Sequence, residues 1–181
     1  MIKLNLGCGW RNFGPDWIHI DGGNYDHLDY HDIINLKFKD NSVDLIYASH
    51  VIEYFDREEI ISILSKWKSK LKDGGVLRLA VPDFEAMVKL YVEKNIPLNK
   101  FLGPLYGKMK MGNDFIYHKT AYDFKELREI LKEVGFNKVD YYIWENTEHK
   151  SFDDHSQAYI PHMDKENGVL ISLNIEAKNE F

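Results

Sequence analysis

The sequence predicts a single α/β domain built on a doubly wound, mostly parallel β-sheet, with helices on both faces and an antiparallel strand near the C-terminus. Short apolar runs alternate with stretches of helical periodicity, which is the pattern of such folds. No linker or internal repeat interrupts the 181 residues. A chain of this length corresponds to about one domain and buries roughly 70% of its unfolded surface. We therefore expect one domain over residues 1–181.

Four short apolar runs in the first half of the chain are predicted to be parallel strands. They cover residues 2–6, 17–20, 42–48 and 76–81. Two closing strands are predicted at residues 139–144 and 169–177. In the second of these, Ile171, Leu173 and Ile175 alternate with other residues, which is typical of an antiparallel strand with one exposed face.

A helix is predicted between the strands at 42–48 and 76–81. Asp56 serves as its N-cap, with Glu59 at the capping-box spacing, and residues 73–75, Asp-Gly-Gly, end it. Its apolar residues recur at helical spacing. They are Ile60, Ile61, Leu64, Trp67 and Leu71.

Two more helices are predicted in the second half of the chain. One opens around Asp83, and the other starts at Asp123, with Glu126 as its capping partner, and stops at Gly135. Residues 95–121 between them show no regular period. We interpret this segment as a lid-like insertion, with an ordered surface insertion as the alternative.

Composition excludes several classes of function. The 23 basic and 29 acidic residues give a net charge of −6, and no basic block marks a nucleic-acid interface. No apolar run approaches the roughly 20 residues that span a bilayer. The first strand leaves no room for a cleavable signal, so we expect a cytoplasmic protein. The acidic and histidine residues at 153–164 lack compact ligand spacing, and no metal is predicted.

The glycine-rich turn Gly7-Cys8-Gly9 directly follows the first strand. Glycine there allows positive φ and lets a ligand lie against the backbone. An NAD fingerprint would need glycine where Asn12 stands, and the Gly-Lys-Ser/Thr of a P-loop is absent. Asp21, at the end of the second strand, stands where doubly wound folds place a carboxylate on ribose hydroxyls.

Further landmarks follow these two in a fixed order. They are Tyr30-His-Asp32-Ile33, Leu36 to Ile46, Ser49-His50-Val-Ile52-Glu53 and Leu71-Lys-Asp73-Gly74-Gly75. With them, residues 2–83 resemble the class I S-adenosylmethionine-dependent methyltransferases, especially small bacterial members of the methyltransferase type 11 group. A weaker similarity covers residues 117–136. The resemblance implies S-adenosylmethionine as the cofactor.

The resemblance also implies which residues contact that cofactor. Leu6, Gly7 and Gly9 would carry the turn under its methionine part. Ser49 and His50 would lie beside the methionine part and the transferable methyl group.

On the adenosine side, the resemblance implies that Asp21 takes the ribose hydroxyls. Asp32 would accept the adenine amino group, and Ile33 would pack on the ring. Two departures concern the methionine end: Asn5 replaces the usual acidic residue, and Arg11 stands where a third glycine is frequent. Arg11 is a candidate for a bidentate contact with the cofactor carboxylate.

The short spacing between Gly9 and Asp21 leaves eleven residues for a helix and a strand together. The stretch includes Gly14 and Pro15. We therefore predict a first crossover helix of one or two turns, or none.

Three residues are candidates for a general base, which a hydroxyl acceptor requires. They are His50 and Asp83, which follow strands at their carboxyl ends, and His118 in the irregular segment. Each has a structural alternative: a local hydrogen bond for His50, a helix cap for Asp83 and loop docking for His118. Cys8 is interpreted as a packing residue.

These observations predict a methyltransferase that acts on a small polar acceptor, with a hydroxyl group of a sugar or related metabolite favoured. We expect no nucleic-acid or membrane partner. The acceptor pocket would come from residues 95–121 and the loop before Val169, or from the second subunit of a homodimer. The alternatives are a non-catalytic binding or scaffolding subunit, which Asn5 favours, and an NAD oxidoreductase, which Asn12 disfavours.

Overall fold

A computed structural model describes residues 1–180 and shows a mixed α/β fold. The strands are β1 (Lys3–Leu6), β2 (Ile18–Ile20), β3 (Val43–Ser49), β4 (Leu71–Pro82), β5 (Met109–Met111), β6 (Asp114–Ile116), β7 (Lys138–Tyr141), β8 (Tyr159–Ile160), β9 (Val169–Leu170) and β10 (Ser172–Lys178). The α-helices are α1 (Ile60–Lys70), α2 (Phe84–Lys94), α3 (Leu102–Tyr106) and α4 (Phe124–Glu133). Short 3₁₀ helices occupy Ile52–Tyr54, Leu98–Lys100, Trp144–Asn146 and His155–Gln157.

Six of these strands form the central sheet, in the order β2-β1-β3-β4-β10-β7. The first four strands in this order run parallel, and β10 lies antiparallel between β4 and β7. The predicted doubly wound, mostly parallel sheet with an antiparallel strand near the C-terminus is therefore confirmed.

The prediction that this antiparallel strand has one exposed face is wrong. Residues 172–175 of β10 are all buried. Its polar side is satisfied internally: Ser172 Oγ donates to Asn174 Oδ1 at 2.9 Å, and Asn174 Nδ2 donates to the carbonyl of Ser156 at 2.9 Å. The loop carrying Ser156 covers a strand face that the apolar alternation alone would leave to solvent.

The main hydrophobic core lies on one face of the sheet, beneath α1 and α4. Its apolar side chains come from every strand of the first four and from both helices. Trp67 of α1 is fully buried, and its indole Nε1 donates to the carbonyl of Ile33 at 2.7 Å. Burial of large apolar side chains on this face supplies most of the driving force for folding.

The opposite face of β1 and β3 packs against irregular segments rather than against a helix. Phe13 stacks on Phe152 at 4.7 Å between ring centroids and meets Trp17 edge-on at 5.4 Å. Tyr47 of β3 lies under this cluster, 4.2 Å from the ring of His149. Aromatic rings supply large apolar area and specific geometry, so they replace a helix in covering this face.

The crossover from β1 to β2 and the one from β2 to β3 contain no helix. For the crossover from β1 to β2, the sequence predicts either a helix of one or two turns or no helix, and the structure shows no helix. Carboxylates hold these connections: Asp21 accepts a hydrogen bond from the Gly9 amide at 2.8 Å, and Asp29 accepts one from the His19 amide at 2.8 Å. Acceptors from side chains satisfy backbone donors that a helix would otherwise pair.

The start and end of α1 differ from the prediction. The helix begins at Ile60, and Glu59 at its N-cap makes no side-chain capping bond. Asp56 forms an ion pair with Lys119 at 2.7 Å instead of capping. The chain enters β4 at Leu71, so the glycines expected to end the helix lie inside the strand, where Gly74 has φ of +72°.

The helix at 124–133 agrees with the prediction in its capping: the Asp123 side chain accepts from the Glu126 amide at 2.8 Å, and Gly135 adopts φ of +97° after the helix. Residues 95–121, predicted to be irregular, instead contain α3 and the hairpin of β5 and β6. Within the described residues, the helices are too short or too polar to cross a membrane.

Candidate active site

The carboxyl ends of the four parallel strands bring the predicted site residues to one edge of the sheet. Gly7 to Gly9 follow β1, Asp21 follows β2, His50 follows β3 and Asp83 follows β4. Open α/β sheets bind ligands at this edge. The structure therefore places most of the residues predicted from sequence in one region.

The two glycines of the turn after β1 have different roles. Both adopt positive φ, +65° at Gly7 and +57° at Gly9. A Cβ on Gly7 would lie 2.4 Å from a methyl carbon of Val51, whereas a Cβ on Gly9 would meet nothing within 4 Å. Gly7 is thus required by packing, and Gly9 leaves an open surface on which a ligand can lie against the backbone.

Asp21 is fixed in place by the two turns beside it. Its Oδ2 accepts from the Gly9 amide at 2.8 Å and its Oδ1 from the Gly23 amide at 2.6 Å. The side chain is buried, and each carboxylate oxygen keeps acceptor capacity. This arrangement fits a vicinal diol such as a ribose.

The hairpin of β5 and β6 reaches the same place. A Cβ on Gly22 would lie 3.5 Å from Sδ and Cε of Met111. The segment interpreted as lid-like therefore contacts the turn that follows Asp21.

Asp32 and Ile33 lie beyond β2, where Tyr30 bridges in parallel to Ile20. A cleft of about 350 Å³ opens there; its lining includes Ile20, Asp32 and Asn35. Oδ1 of Asp32 accepts from the Ile34 and Asn35 amides, and Oδ2 accepts from Asn35 Nδ2 at 3.0 Å. These hydrogen bonds, those from Asn35 first, lower the pKa of Asp32 and leave it one acceptor position on Oδ2.

The methionine end of the predicted cofactor site is narrow. Asn5, Gly7, Arg11 and Ser49 line a gap of about 10 Å³, which is room for about one water. Asn5 Nδ2 and Ser49 Oγ are buried without hydrogen-bond partners, and unpaired buried polar atoms of this kind fit a polar ligand. Arg11 donates from Nε to the carbonyl of Asp153 at 2.8 Å, so this nitrogen is already paired within the protein.

His50 adopts φ of +54°, which is costly for a residue with a side chain. Its amide donates to the carbonyl of Ala80 in β4 at 2.8 Å, which holds the conformation. Strained backbone of this kind is frequent at functional sites. Burial, with His155, His118 and Arg11 nearby, holds the pKa of His50 well below its usual range, so the imidazole is neutral at pH 7.

His50 and His118 are brought together by Glu53, which is not among the three candidates for a general base. His50 Nδ1 lies 3.5 Å from Oε1 of Glu53, and His118 Nε2 lies 3.7 Å from the same oxygen. Glu53 is fully buried, and burial raises its pKa to about 8. Burial also lowers the pKa of His118. The signal that could have found Glu53 is its spacing of three residues from His50, which places both side chains on one side of a turn.

Asp83 takes the structural alternative. Its Oδ1 accepts from the Ala86 amide at 3.0 Å and caps α2, and burial raises its pKa. Cys8 is likewise buried, and burial together with Asp21 raises its pKa to about 12, which suits a packing residue and not a thiolate nucleophile.

A second buried polar cluster, on the aromatic face, was also missed. Tyr47 donates to Asp154 Oδ2 at 2.5 Å, and Asp154 Oδ1 accepts from the amide and hydroxyl of Ser156. Tyr47 and Asp154 are 107 positions apart in sequence, so no local pattern indicates their contact. Among residues 1–180, His, Cys, Asp and Glu do not form a group of three or more that could hold a metal ion.

Residues 19–79 match the family model of the methyltransferase domain. The matched region includes Asp21, Asp32 and the segment from Ser49 to Glu53. Demethylmenaquinone methyltransferase from Staphylococcus haemolyticus is 27% identical over 122 residues, which are 62% of this chain and 48% of the relative. The chain thus spans about half the length of that curated relative.

Solved structures share the fold over nearly the whole chain. A SAM dependent methyltransferase from Archaeoglobus fulgidus aligns with a TM-score of 0.59 and 19% identity, covering 98% of this chain and 85% of that one. A 1,6-didemethyltoxoflavin-N1-methyltransferase from Burkholderia thailandensis, with S-adenosylhomocysteine bound, aligns with a TM-score of 0.58 and 11% identity over 99% and 71% of the two chains. The solved structures show that the fold is shared, and the domain match over residues 19–79 agrees with the resemblance to class I S-adenosylmethionine-dependent methyltransferases.

Proposed function

We propose that this protein is an S-adenosylmethionine-dependent methyltransferase that acts on a hydroxyl group of a small polar acceptor, such as a sugar or related metabolite. One observation carries the proposal: the open glycine turn at Gly9, the fixed carboxylate of Asp21 and the neutral imidazole of His50 share one edge of the sheet. The family match over residues 19–79 supports the cofactor assignment.

When bound, S-adenosylmethionine supplies a methyl group already activated on a sulfonium sulfur. The chain itself has to orient the acceptor in line with that methyl group and receive the proton that a hydroxyl loses. Gly9 and Asp21 would hold the cofactor, with Leu6 and Gly7 shaping the turn. Ser49, Arg11 and Asn5 would contact its methionine part, and Asp32 and Ile33 its adenine.

A hydroxyl acceptor is favoured because the site offers a proton acceptor. His50 Nε2 is buried and has no hydrogen-bond partner in the protein. It can therefore take the proton that the substrate hydroxyl group loses on methylation. The net charge of −6 disfavours polyanionic acceptors. The relatives named above act on different acceptors, so the acceptor class is proposed from this chain's own residues. A cytoplasmic location and a homodimer remain predictions from the sequence.

Calorimetric titration of the full chain with S-adenosylmethionine, S-adenosylhomocysteine and NAD tests the cofactor assignment. We expect binding of the first two and none of NAD. Absence of binding by both sulfur compounds at high micromolar concentration would refute the proposal. Binding by both, with no methyl transfer to any member of a panel of polyhydroxylated acceptors, would favour the non-catalytic binding subunit.

A further inference from the structure

Glu53 is a buried carboxyl group without hydrogen-bond partners. It is fully buried, and both of its oxygens are unpaired. Burying a carboxyl group in this way is costly unless the group is neutral or finds a partner. The groups that face it most closely are the rings of His50 and His118, both on Oε1.

The tautomer of His118 follows from its other contact. Its Nδ1 lies 2.9 Å from the carbonyl oxygen of Pro104, and a carbonyl only accepts, so Nδ1 carries the proton. In the neutral ring, Nε2 is then the unprotonated nitrogen, and this is the atom that faces Glu53. A protonated Glu53 carboxyl group is the donor that this nitrogen lacks.

The tautomer of His50 is set from the same side. Its Nδ1 faces Glu53 Oε1 at 3.5 Å, and its Nε2 is buried without a partner. If Nδ1 carries the proton and points it at Glu53, Nε2 has a free lone pair. A carboxylate or carboxyl group that orients a histidine in this way is the common means of preparing an imidazole as a base.

We propose that Glu53 is a positioning residue: its carboxyl group directs its proton at Nε2 of His118 and accepts the Nδ1 proton of His50, which keeps Nε2 of His50 free to take the proton of the methyl acceptor. The second half of this inference rests on the proposed function. In that reaction the acceptor oxygen bonds to the methyl carbon, the sulfur–carbon bond breaks with its electron pair left on sulfur, and the hydroxyl proton passes to Nε2 of His50. Glu53 then gives its own proton to His118 and, as a carboxylate, stabilises the protonated His50.

The groups around Glu53 allow its carboxyl group to stay protonated. The other titratable groups near it are the phenols of Tyr54 and Tyr122, and burial raises the pKa of both. The ring of His155 lies 4.9 Å from that of His50, and burial, then His155, His118 and Arg11, lower the pKa of His50. No cation pairs with Glu53 within the described residues, so a neutral carboxyl group at pH 7 agrees with its pKa of about 8.

The main chain at Glu53 also holds the segment that carries His118. The amide of Lys119 donates to the backbone carbonyl of Glu53 at 2.8 Å, and Lys119 Nζ pairs with Asp56 at 2.7 Å. The ring of His118 lies against Gly107, where a Cβ would come within 2.5 Å of it. The end of the insertion is therefore held next to Glu53 by a main-chain hydrogen bond, an ion pair and the packing of the His118 ring.

Nitrogen NMR of the ligand-free full chain, labelled at histidine, tests the inference. The signals of His50 and His118 are assigned from the variants His50→Gln and His118→Gln. We expect both rings to be in the Nδ1-protonated tautomer at pH 7, and both to shift in one common step near pH 8, where Glu53 ionises.

Glu53→Gln is the matched variant, because the glutamine side chain has nearly the same size as the carboxyl group and cannot ionise. It should lose the step near pH 8, while His118 keeps its Nδ1-protonated tautomer through the carbonyl of Pro104. A protonated Nε2 on His50, absence of the common step in the unmodified chain, or persistence of that step in Glu53→Gln would each overturn the inference. No cofactor is added, so failure here is distinct from failure of the cofactor titration.

Discussion

The connections on the two sides of β3 are built differently. Residues 7–17 and 21–42, which join β1, β2 and β3, contain no helix and are held by side-chain carboxylates. The connections beyond β3 are built from α1, α2 and α4. The loop-built side carries the proposed cofactor contacts, and the helix-built side carries Glu53 and the segment of His118.

This difference shows how a short chain can keep a ligand-binding edge without the helices that usually support it. Backbone donors near Asp21 are satisfied by a carboxylate that would also contact the ligand, so binding and local structure depend on the same atoms. On the helix-built side, ligand binding and local structure depend on different residues, because Trp67 and its neighbours form the core away from the carboxyl edge of the sheet. Substitutions should therefore affect stability and binding together on one side and separately on the other.

The largest effect on stability is expected for Trp67→Ala in α1. Trp67 is fully buried and bonds to Ile33 across the core, so its loss should cost about 3–5 kcal/mol, measured by urea unfolding. Phe13→Ala on the loop-built side should cost less, because irregular segments can relax into the space. An equal or larger loss for Phe13→Ala would contradict the comparison.

Alanine substitutions at Gly7 and Gly9 distinguish an effect on packing from an effect on cofactor binding. Gly7→Ala should destabilise the fold by about 1–3 kcal/mol, because its Cβ would overlap Val51. Gly9→Ala meets open space and should cost only the left-handed strain of about 1–2 kcal/mol, yet weaken cofactor binding in calorimetry. Unchanged affinity in Gly9→Ala would show that the ligand does not lie on this turn.

Asp21→Ala should weaken S-adenosylhomocysteine binding by about 1–3 kcal/mol, the scale for lost hydrogen bonds to a charged group. The variant should also lower stability, since the Gly9 and Gly23 amides lose their acceptor. Asp21→Asn keeps one acceptor oxygen and serves as the control with a smaller loss. A dissociation constant that does not change in Asp21→Ala would refute the ribose contact.

Glu53 should make stability depend on pH. Its pKa is raised from 4.5 to about 8 in the folded chain, so folding takes up a proton between those values. The favourable contribution is complete below about pH 4.5 and is lost as the pH rises towards 8. The Tm of the unmodified chain should therefore fall relative to that of Glu53→Gln between pH 5 and pH 8. A constant difference in Tm across this range would be inconsistent with a buried, neutral Glu53.

The smallest effect is expected for Asp83, which caps α2. Asp83→Ala should cost about 1 kcal/mol of stability, and Asp83→Asn should retain most of the cap. Cofactor affinity should stay unchanged in both, as measured by calorimetry. A large loss of cofactor affinity in Asp83→Asn would show that Asp83 contributes to the cofactor site.

Local patterns predict much of this fold. The first four strands, the cap of α4 and the carboxylate at Asp21 follow from periodicity, capping spacing and position after a strand. Asp56 was misassigned as a cap because Lys119, 63 residues away, competes for it. The face of β10 was misassigned because Ser156 supplies its polar partner. Each strand of the hairpin at 109–116 has only three residues, which is too short for alternation to indicate a strand.

The candidate site also contains features that the sequence indicates and features that it does not. Gly9, Asp21 and His50 are visible in sequence because each follows a strand directly. The contact of Glu53 with His118 is not, because His118 returns to it from a distant segment of the chain.

A crystal structure of the full chain with S-adenosylhomocysteine tests the central claim most directly. The ribose hydroxyls should lie within hydrogen-bond distance of Asp21, the methionine part against Gly9, and the sulfur beside His50. A ligand bound away from the carboxyl edge of β1 and β2, or one whose ribose does not contact Asp21, would contradict the proposed site.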